Sequence, residues 1–249
     1  MDKQTIIQKA REGFDEDFSK IDYMEIRTGY AEHLSKILNN LNIMPHSNVL
    51  DLGTGSGFLA FPIAQSNGDC KVFGLDIAVR TLAHNREKAS VMNLKNLSFI
   101  DYDGIRFPFE DNSFEYVVTR YALHHFPDIE QTFMEIRRVL KTGGILLISD
   151  PTPNAIDKIR FVDTFMQMKD DGHVKFYLKS EFLEISGRNG LQLTASFDSN
   201  IRFPSDRTEK YLQIADRIDE KILESYDIEV KHGQVFITEQ VVNLMFIKQ

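Results

Sequence analysis

The sequence predicts an α/β protein whose mostly parallel sheet is covered by helices on both faces. Three observations carry this. Short apolar runs recur along the chain up to Asp150, and stretches with helical periodicity separate them. The runs are apolar almost throughout, as strands buried on both faces are. The first run ends in a turn with three glycines, followed by a new helix.

The elements follow in order. A helical region covers residues 2–42, and we expect residues 1–42 to form an N-terminal helical cap that helps to close the pocket. Asn48–Leu52 is the first strand, and 57–66 is the helix after it. Lys71–Asp76 is a second strand, followed by a helix near 79–92. Leu97–Ile100 and Phe114–Thr119 are the third and fourth strands. Residues 128–140 place Ile129, Phe133, Ile136, Val139 and Leu140 on one helical stripe closed by Gly143-Gly144, and 144–149 is the fifth strand. Beyond Asp150 the rhythm changes. Helical stretches are expected near 154–170 and 179–189, with a strand at 191–199. Residues 207–226 carry Tyr211, Ile214, Ile218, Ile222 and Tyr226 on one helical face. A long strand runs from Gln234 to Lys248. The segments 151–178 and 202–232 exceed what a minimal α/β core needs, and we expect them to form a helical lid over the strand ends.

With 249 residues, the chain fits one domain that can bury a sizeable core. Its net charge of -8 argues against a protein that holds nucleic acid through phosphate contacts. No apolar stretch reaches the length of a membrane span, and the N-terminus is too charged for a signal peptide. The single cysteine, Cys70, excludes an intramolecular disulfide and a cysteine-based metal cluster. A cytoplasmic location is expected.

The strongest local signal is Val49-Leu50-Asp51-Leu52-Gly53-Thr54-Gly55-Ser56-Gly57-Phe58. Glycines 53, 55 and 57 let the backbone approach a ligand closely, and the new helix offers unpaired N–H groups. The spacing is G-x-G-x-G, not the G-x-G-x-x-G of dinucleotide sites. A carboxylate at Asp51 would repel a phosphate and suits a ligand bearing an ammonium group. Asp76 ends the second strand, 19 residues after Gly57. An acid there can accept both hydroxyls of a ribose; the plainer alternative is a helix cap.

These residues resemble the class I S-adenosylmethionine-dependent methyltransferases, in the branch that includes the ubiquinone/menaquinone-biosynthesis enzymes and many small-molecule methyltransferases. The likeness rests on VLDLGTGSG at 49–57, GLDIA at 74–78, DGIRFPFEDNSFEYV at 103–117, TRYALHHFPD at 119–128 and EIRRVLKTGGILLISD at 135–150. It implies a Rossmann-like methyltransferase fold with a seven-stranded sheet, S-adenosyl-L-methionine as cofactor, and a small-molecule methyl acceptor. It also implies that Asp103 meets the adenine amino group, that Gly104 gives adenine a backbone contact, and that Thr54 and Ile77 flank the cofactor. Arg120 would pass beneath the methionyl part. The run Tyr23–Tyr30 resembles the segment that caps the cofactor in relatives; packing of both tyrosines as core aromatics is the alternative. A histidine at the position of His125 assists as a base in some relatives, and a structural role is the alternative; for His124 a structural role is expected. The quinone-specific N-terminal signature is missing, and Asp150-Pro151 stands where those enzymes favour glutamate. No metal site is expected. Cofactor binding without methyl transfer and a macromolecular acceptor are the competing readings.

Overall fold

The computed structural model describes residues 2–17, 31–205 and 207–249, so the expectation for Tyr23–Tyr30 lies outside the described residues. The elements are α1 (Lys3–Asp17), α2 (Ala31–Leu41), β1 (Asn48–Leu52), α3 (Ala60–Ser66), β2 (Lys71–Asp76), α4 (Val79–Val91), β3 (Leu97–Asp101) and β4 (Phe114–Arg120). A 3₁₀ turn at Leu123–His125 leads to α5 (Ile129–Val139), β5 (Leu140–Thr152), α6 (Phe161–Met166), α7 (Lys179–Arg188) and β6 (Leu191–Ser205). The chain ends with α8 (Thr208–Leu212), a 3₁₀ turn at Ala215–Arg217, α9 (Glu220–Ser225), β7 (Glu229–Lys231) and β8 (Gln234–Lys248).

The expected seven strands form one sheet in the order β3-β2-β1-β4-β5-β8-β6, and the short β7 adds an eighth by pairing with β8. Strands β1 to β5 run parallel, and β8 runs antiparallel to both β5 and β6. Strand order reverses between β1 and β4, so the carboxyl ends of these two strands frame the crevice where open α/β sheets bind ligands.

Packing follows the sequence pattern. On one face α5 buries Phe133, Ile136 and Val139 against Leu50, Leu52 and Leu146. Each such side chain contributes about 1.5–3 kcal/mol on leaving water. Asp128 caps this helix by accepting the Gln131 N–H at 3.1 Å. On the other face Ile37, Leu41, Leu59 and Ile63 cover Val49, Val72 and Val118.

Beyond Asp150 the expectations are partly revised. The helix expected at 154–170 is confined to Phe161–Met166. The buried carboxylate of Asp157 explains where it starts, because it accepts the N–H groups of Phe161 and Val162 at 2.8 and 3.0 Å. The expected helical face at 207–226 is broken into α8, a 3₁₀ turn and α9. Tyr211, Ile222 and Tyr226 nevertheless pack into a third core with Phe161, Phe165 and Phe176, while Ile214 and Ile218 are only partly buried. The Tyr226 hydroxyl donates to Asp157 at 2.8 Å and ties the two additional segments together. β6 runs on to Ser205, longer than expected, because β8 pairs with it along its whole length.

Candidate active site

β1 delivers the chain into the glycine turn at the crevice. Gly53 and Thr54 both donate to the Leu75 carbonyl, at 2.8 and 3.1 Å, which welds the turn to β2. Gly53 has φ +67°, and a Cβ there would lie 2.4 Å from the Ala122 Cβ, so only glycine fits. A Cβ on Gly55 would meet nothing within 4 Å, so its backbone faces open space. Gly57 instead packs against the ring of Phe61.

Asp76, at the end of β2, is 8% exposed and aims at the same space. Its Oδ2 accepts the Gly55 N–H at 2.8 Å, and its Oδ1 accepts those of Ile77 and Ala78 at 2.7 and 3.0 Å. Burial raises its pKa, and these N–H groups oppose that rise.

The resulting cavity holds about 830 Å³, counted to its open mouth. Of the expected site residues it is lined by Gly53, Thr54, Gly55, Asp76, Ile77, Gly104, Arg120 and His125. Three others stand outside the lining. Asp51 lies beneath the turn, accepting from the Thr54 hydroxyl at 2.7 Å and the Ala60 N–H at 3.1 Å, and burial pushes its pKa up to about 7. Asp103 is exposed, and its Oδ1 accepts the N–H groups of Ile105 and Arg106. Gly57 is the third.

The roof comes from the N-terminal region expected as a cap, though its residues were not singled out from the sequence. Ile7, Ala10 and Phe14 of α1 line the cavity, and a Cβ on Gly104 would touch Ile7 at 3.1 Å. The helical periodicity of α1 was legible, but nothing local says which surface it covers. Tyr102 was missed; it lines the cavity together with Gly104.

A second cavity of about 680 Å³ adjoins the first, and Phe14, Arg120, Tyr121 and His125 line both. The second is closed by Met166, Phe176 and Phe203 from the segments beyond the fifth strand, with Lys169, Asp171, Arg207 and Glu239 as its charged lining. The Arg120 guanidinium lies 3.8 Å from the centroid of the Phe58 ring. Burial lowers its pKa to about 10, which leaves it a cation at neutrality. Tyr121 adopts φ +53°, a strained conformation for a non-glycine residue of the kind that clusters at functional sites.

His124 and His125 differ in their surroundings. His124 Nδ1 lies 2.7 Å from Asp150 Oδ1, inside the protein. His125 faces both cavities, and its buried Nδ1 has no hydrogen-bond partner among the described residues. Burial, with His124 and His173 nearby, holds its pKa well below the usual imidazole range. The third histidine, His173, was not singled out from the sequence; a lone histidine far along the chain gives no local signal.

Residues 43–190 match the family model described as a methyltransferase domain. The chain is similar to a demethylmenaquinone methyltransferase of Bacillus mycoides, 29% identical over 157 residues that cover 60% of this chain and 66% of that protein. It is similar to the uncharacterized methyltransferase YcgJ of Bacillus subtilis, 27% identical over 196 residues covering 73% of this chain and 76% of the other. The crystal structure of YcgJ matches with a TM-score of 0.77 at 21% identity, over 88% of this chain and 99% of that one, a likeness of fold. No helix among the described residues is long and apolar enough to cross a membrane.

Proposed function

We infer that this chain, which belongs to the methyltransferase domain family, is an S-adenosylmethionine-dependent enzyme that methylates a small molecule held beside Arg120 and His125. The observation that carries this is the junction of two cavities: one built on the glycine turn and Asp76, the other roofed by apolar side chains, with Arg120 and His125 on the shared wall.

The first cavity fits the cofactor on chemical grounds. Asp76 is a carboxylate in a dry setting at the position for ribose hydroxyls. Gly55 leaves the wall bare, Tyr102, Gly104 and Ile7 line the cavity where adenine would lie, and Asp103, next to Gly104 in the chain, would serve the amino group. The methionyl end would then lie along the glycine turn toward Arg120. Asp51 acts through Thr54 as a positioning residue. When bound, the cofactor supplies an electrophilic methyl group on a sulfonium. The protein's own residues align the partners and exclude water. The segments 151–178 and 202–232 supply Met166, Phe176 and Phe203 as the lid that does so. His125, neutral at physiological pH, can take a proton from the acceptor at its unpartnered Nδ1.

A small acceptor is supported by the enclosed second cavity, and a polynucleotide is disfavoured by the net charge of -8. A small-molecule acceptor is also what the name of one relative, a demethylmenaquinone methyltransferase, gives for that protein.

The test is a methyl-transfer screen with labelled cofactor across quinols, catechols, amines and thiols. Transfer to one class is expected, with His125→Gln lowering turnover about 10²-fold or more, the usual share of a positioned base, while S-adenosylhomocysteine binding holds. Binding of the cofactor with no transfer to any class, or transfer only to a macromolecule, would overturn the small-molecule reading.

A further inference from the structure

The second cavity contains a cluster of three histidines, of which the proposed reaction uses only His125. His124 and His125 come from the 3₁₀ turn after β4, and His173 comes from the segment after α6. The ring centroids lie 4.4 Å (His124–His125), 5.4 Å (His124–His173) and 5.8 Å (His125–His173) apart. One ligand nitrogen of each ring can be chosen so that all three lie within 4.8 Å of one another. We propose that His124, His125 and His173 form a binding site for a divalent transition-metal ion of the zinc type, opening on the acceptor cavity.

Three observations support it. Imidazole is the side chain that suits Zn²⁺, Co²⁺ and Ni²⁺, and three histidines with an open fourth position make up the ligand set of catalytic zinc sites. Two of the rings are oriented by carboxylates, the arrangement that fixes tautomer and direction in metal-ligating histidines. Asp150 Oδ1 lies 2.7 Å from His124 Nδ1, and Asp163 Oδ1 lies 3.1 Å from His173 Nε2. Both carboxylates are themselves held. Asp150 Oδ2 accepts the N–H groups of Ala122 and Leu123, each at 3.1 Å, and Asp163 accepts from Arg160 Nε at 2.6 Å and from the Phe176 N–H at 2.7 Å. Third, the buried Nδ1 of His125 lacks a hydrogen-bond partner among the described residues, a cost that coordination would relieve.

The geometry asks for modest adjustment. Bonds of about 2.0–2.1 Å from zinc to nitrogen set ligands roughly 3.3 Å apart in a tetrahedron, so the rings would draw in by up to about 1.5 Å. A dication here would add to the field of Arg120, Lys169 and Arg207, opposed by Asp171 and Glu239 in the same lining. That favours an anionic fourth ligand, and so an acceptor whose reacting atom is a hydroxyl or thiol able to lose its proton on coordination. The inference rests on the reading of this cavity as the acceptor site, and it makes His125 a ligand where the simpler mechanism makes it a base.

The experiment strips the full chain with a chelator and titrates it with Co²⁺, followed by the visible bands of a tetrahedral ion, then displaces Co²⁺ with Zn²⁺. S-adenosylhomocysteine binding, measured in parallel, reports the integrity of the fold and of the first cavity. One equivalent is expected, with metal affinity falling at least about 100-fold in His173→Gln and about 10–100-fold in Asp163→Asn, the range for losing an orienting partner. No uptake by the unmodified chain, or unchanged uptake in His173→Gln, would overturn the site. Intact S-adenosylhomocysteine binding in that case leaves the methyltransferase reading standing, whereas loss of both would count against that reading as well.

Discussion

The three N–H groups held by Asp76 mean that the carboxylate is oriented before any ligand arrives. Preorganisation of this kind lowers the cost of binding. Its place at the strand end was legible because strand-end position and residue type are both local. Asp51 and Asp103 were legible only as acids near the site: their side chains turn to backbone N–H groups and a hydroxyl nearby, a competition that sequence spacing does not resolve. His33 illustrates a cost with no sequence signal. It is 3% exposed on α2, shares a contact of 3.1 Å with the Ser149 hydroxyl, and has its pKa lowered to about 4, chiefly by burial and then by Arg120 and Lys36. A histidine held neutral in the folded state contributes stability that is present above its unfolded pKa of about 6.5 and is lost as pH falls toward 4. Urea denaturation across that window should show the native chain losing up to about 3 kcal/mol through this residue, and His33→Gln should flatten the slope accordingly. Equal slopes would mean that His33 charges freely in the folded state.

At the scale of elements, α1 lies in the region expected as a cap, but which of its residues face the site was not legible. It lies over the first cavity, linked by Lys9 to Asp170 at 2.6 Å, by Arg11 Nε to the Ile77 carbonyl at 3.3 Å, and by Asp15, which accepts the Arg80 N–H at 2.9 Å. Exposed ion pairs contribute little, so close packing is the better lever. Gly172 has φ +75°, and a Cβ there would lie 2.7 Å from the Ile6 carbonyl oxygen and 2.9 Å from the Ala10 nitrogen, both backbone atoms. Gly172→Ala should therefore lift α1 and speed release of labelled S-adenosylmethionine about tenfold, equivalent to about 1.4 kcal/mol, with thermal stability measured alongside. Unchanged release from a variant of unchanged stability would show that α1 does not retain the cofactor. The segments after β5 teach the same lesson from the other side. Their apolar stripe was readable, but buried Asp157 decides where the first helix starts, and its bond to Tyr226 pairs residues 69 positions apart.

Over the whole molecule, the five parallel strands and their helices were readable because each strand is a short apolar run with its own helix beside it. The antiparallel placement of β8 between β5 and β6 depends on long-range pairing, which leaves no periodic trace. The three histidines depend on tertiary folding in the same way. What the fold achieves is to set a cavity on the glycine turn beside one roofed by Met166, Phe176 and Phe203, with Arg120 and His125 between them. The central claim is that the first of these holds S-adenosylmethionine with Asp76 on its ribose. Calorimetric titration of S-adenosylhomocysteine into the full chain and into Asp76→Asn tests it most directly. One equivalent should bind to the unmodified chain, and the variant, folded by its thermal transition, should bind about 10–100-fold more weakly, the ~1–3 kcal/mol of a lost partner to a charged acceptor. Equal affinity in the two, or no binding at all to the unmodified chain, would contradict it.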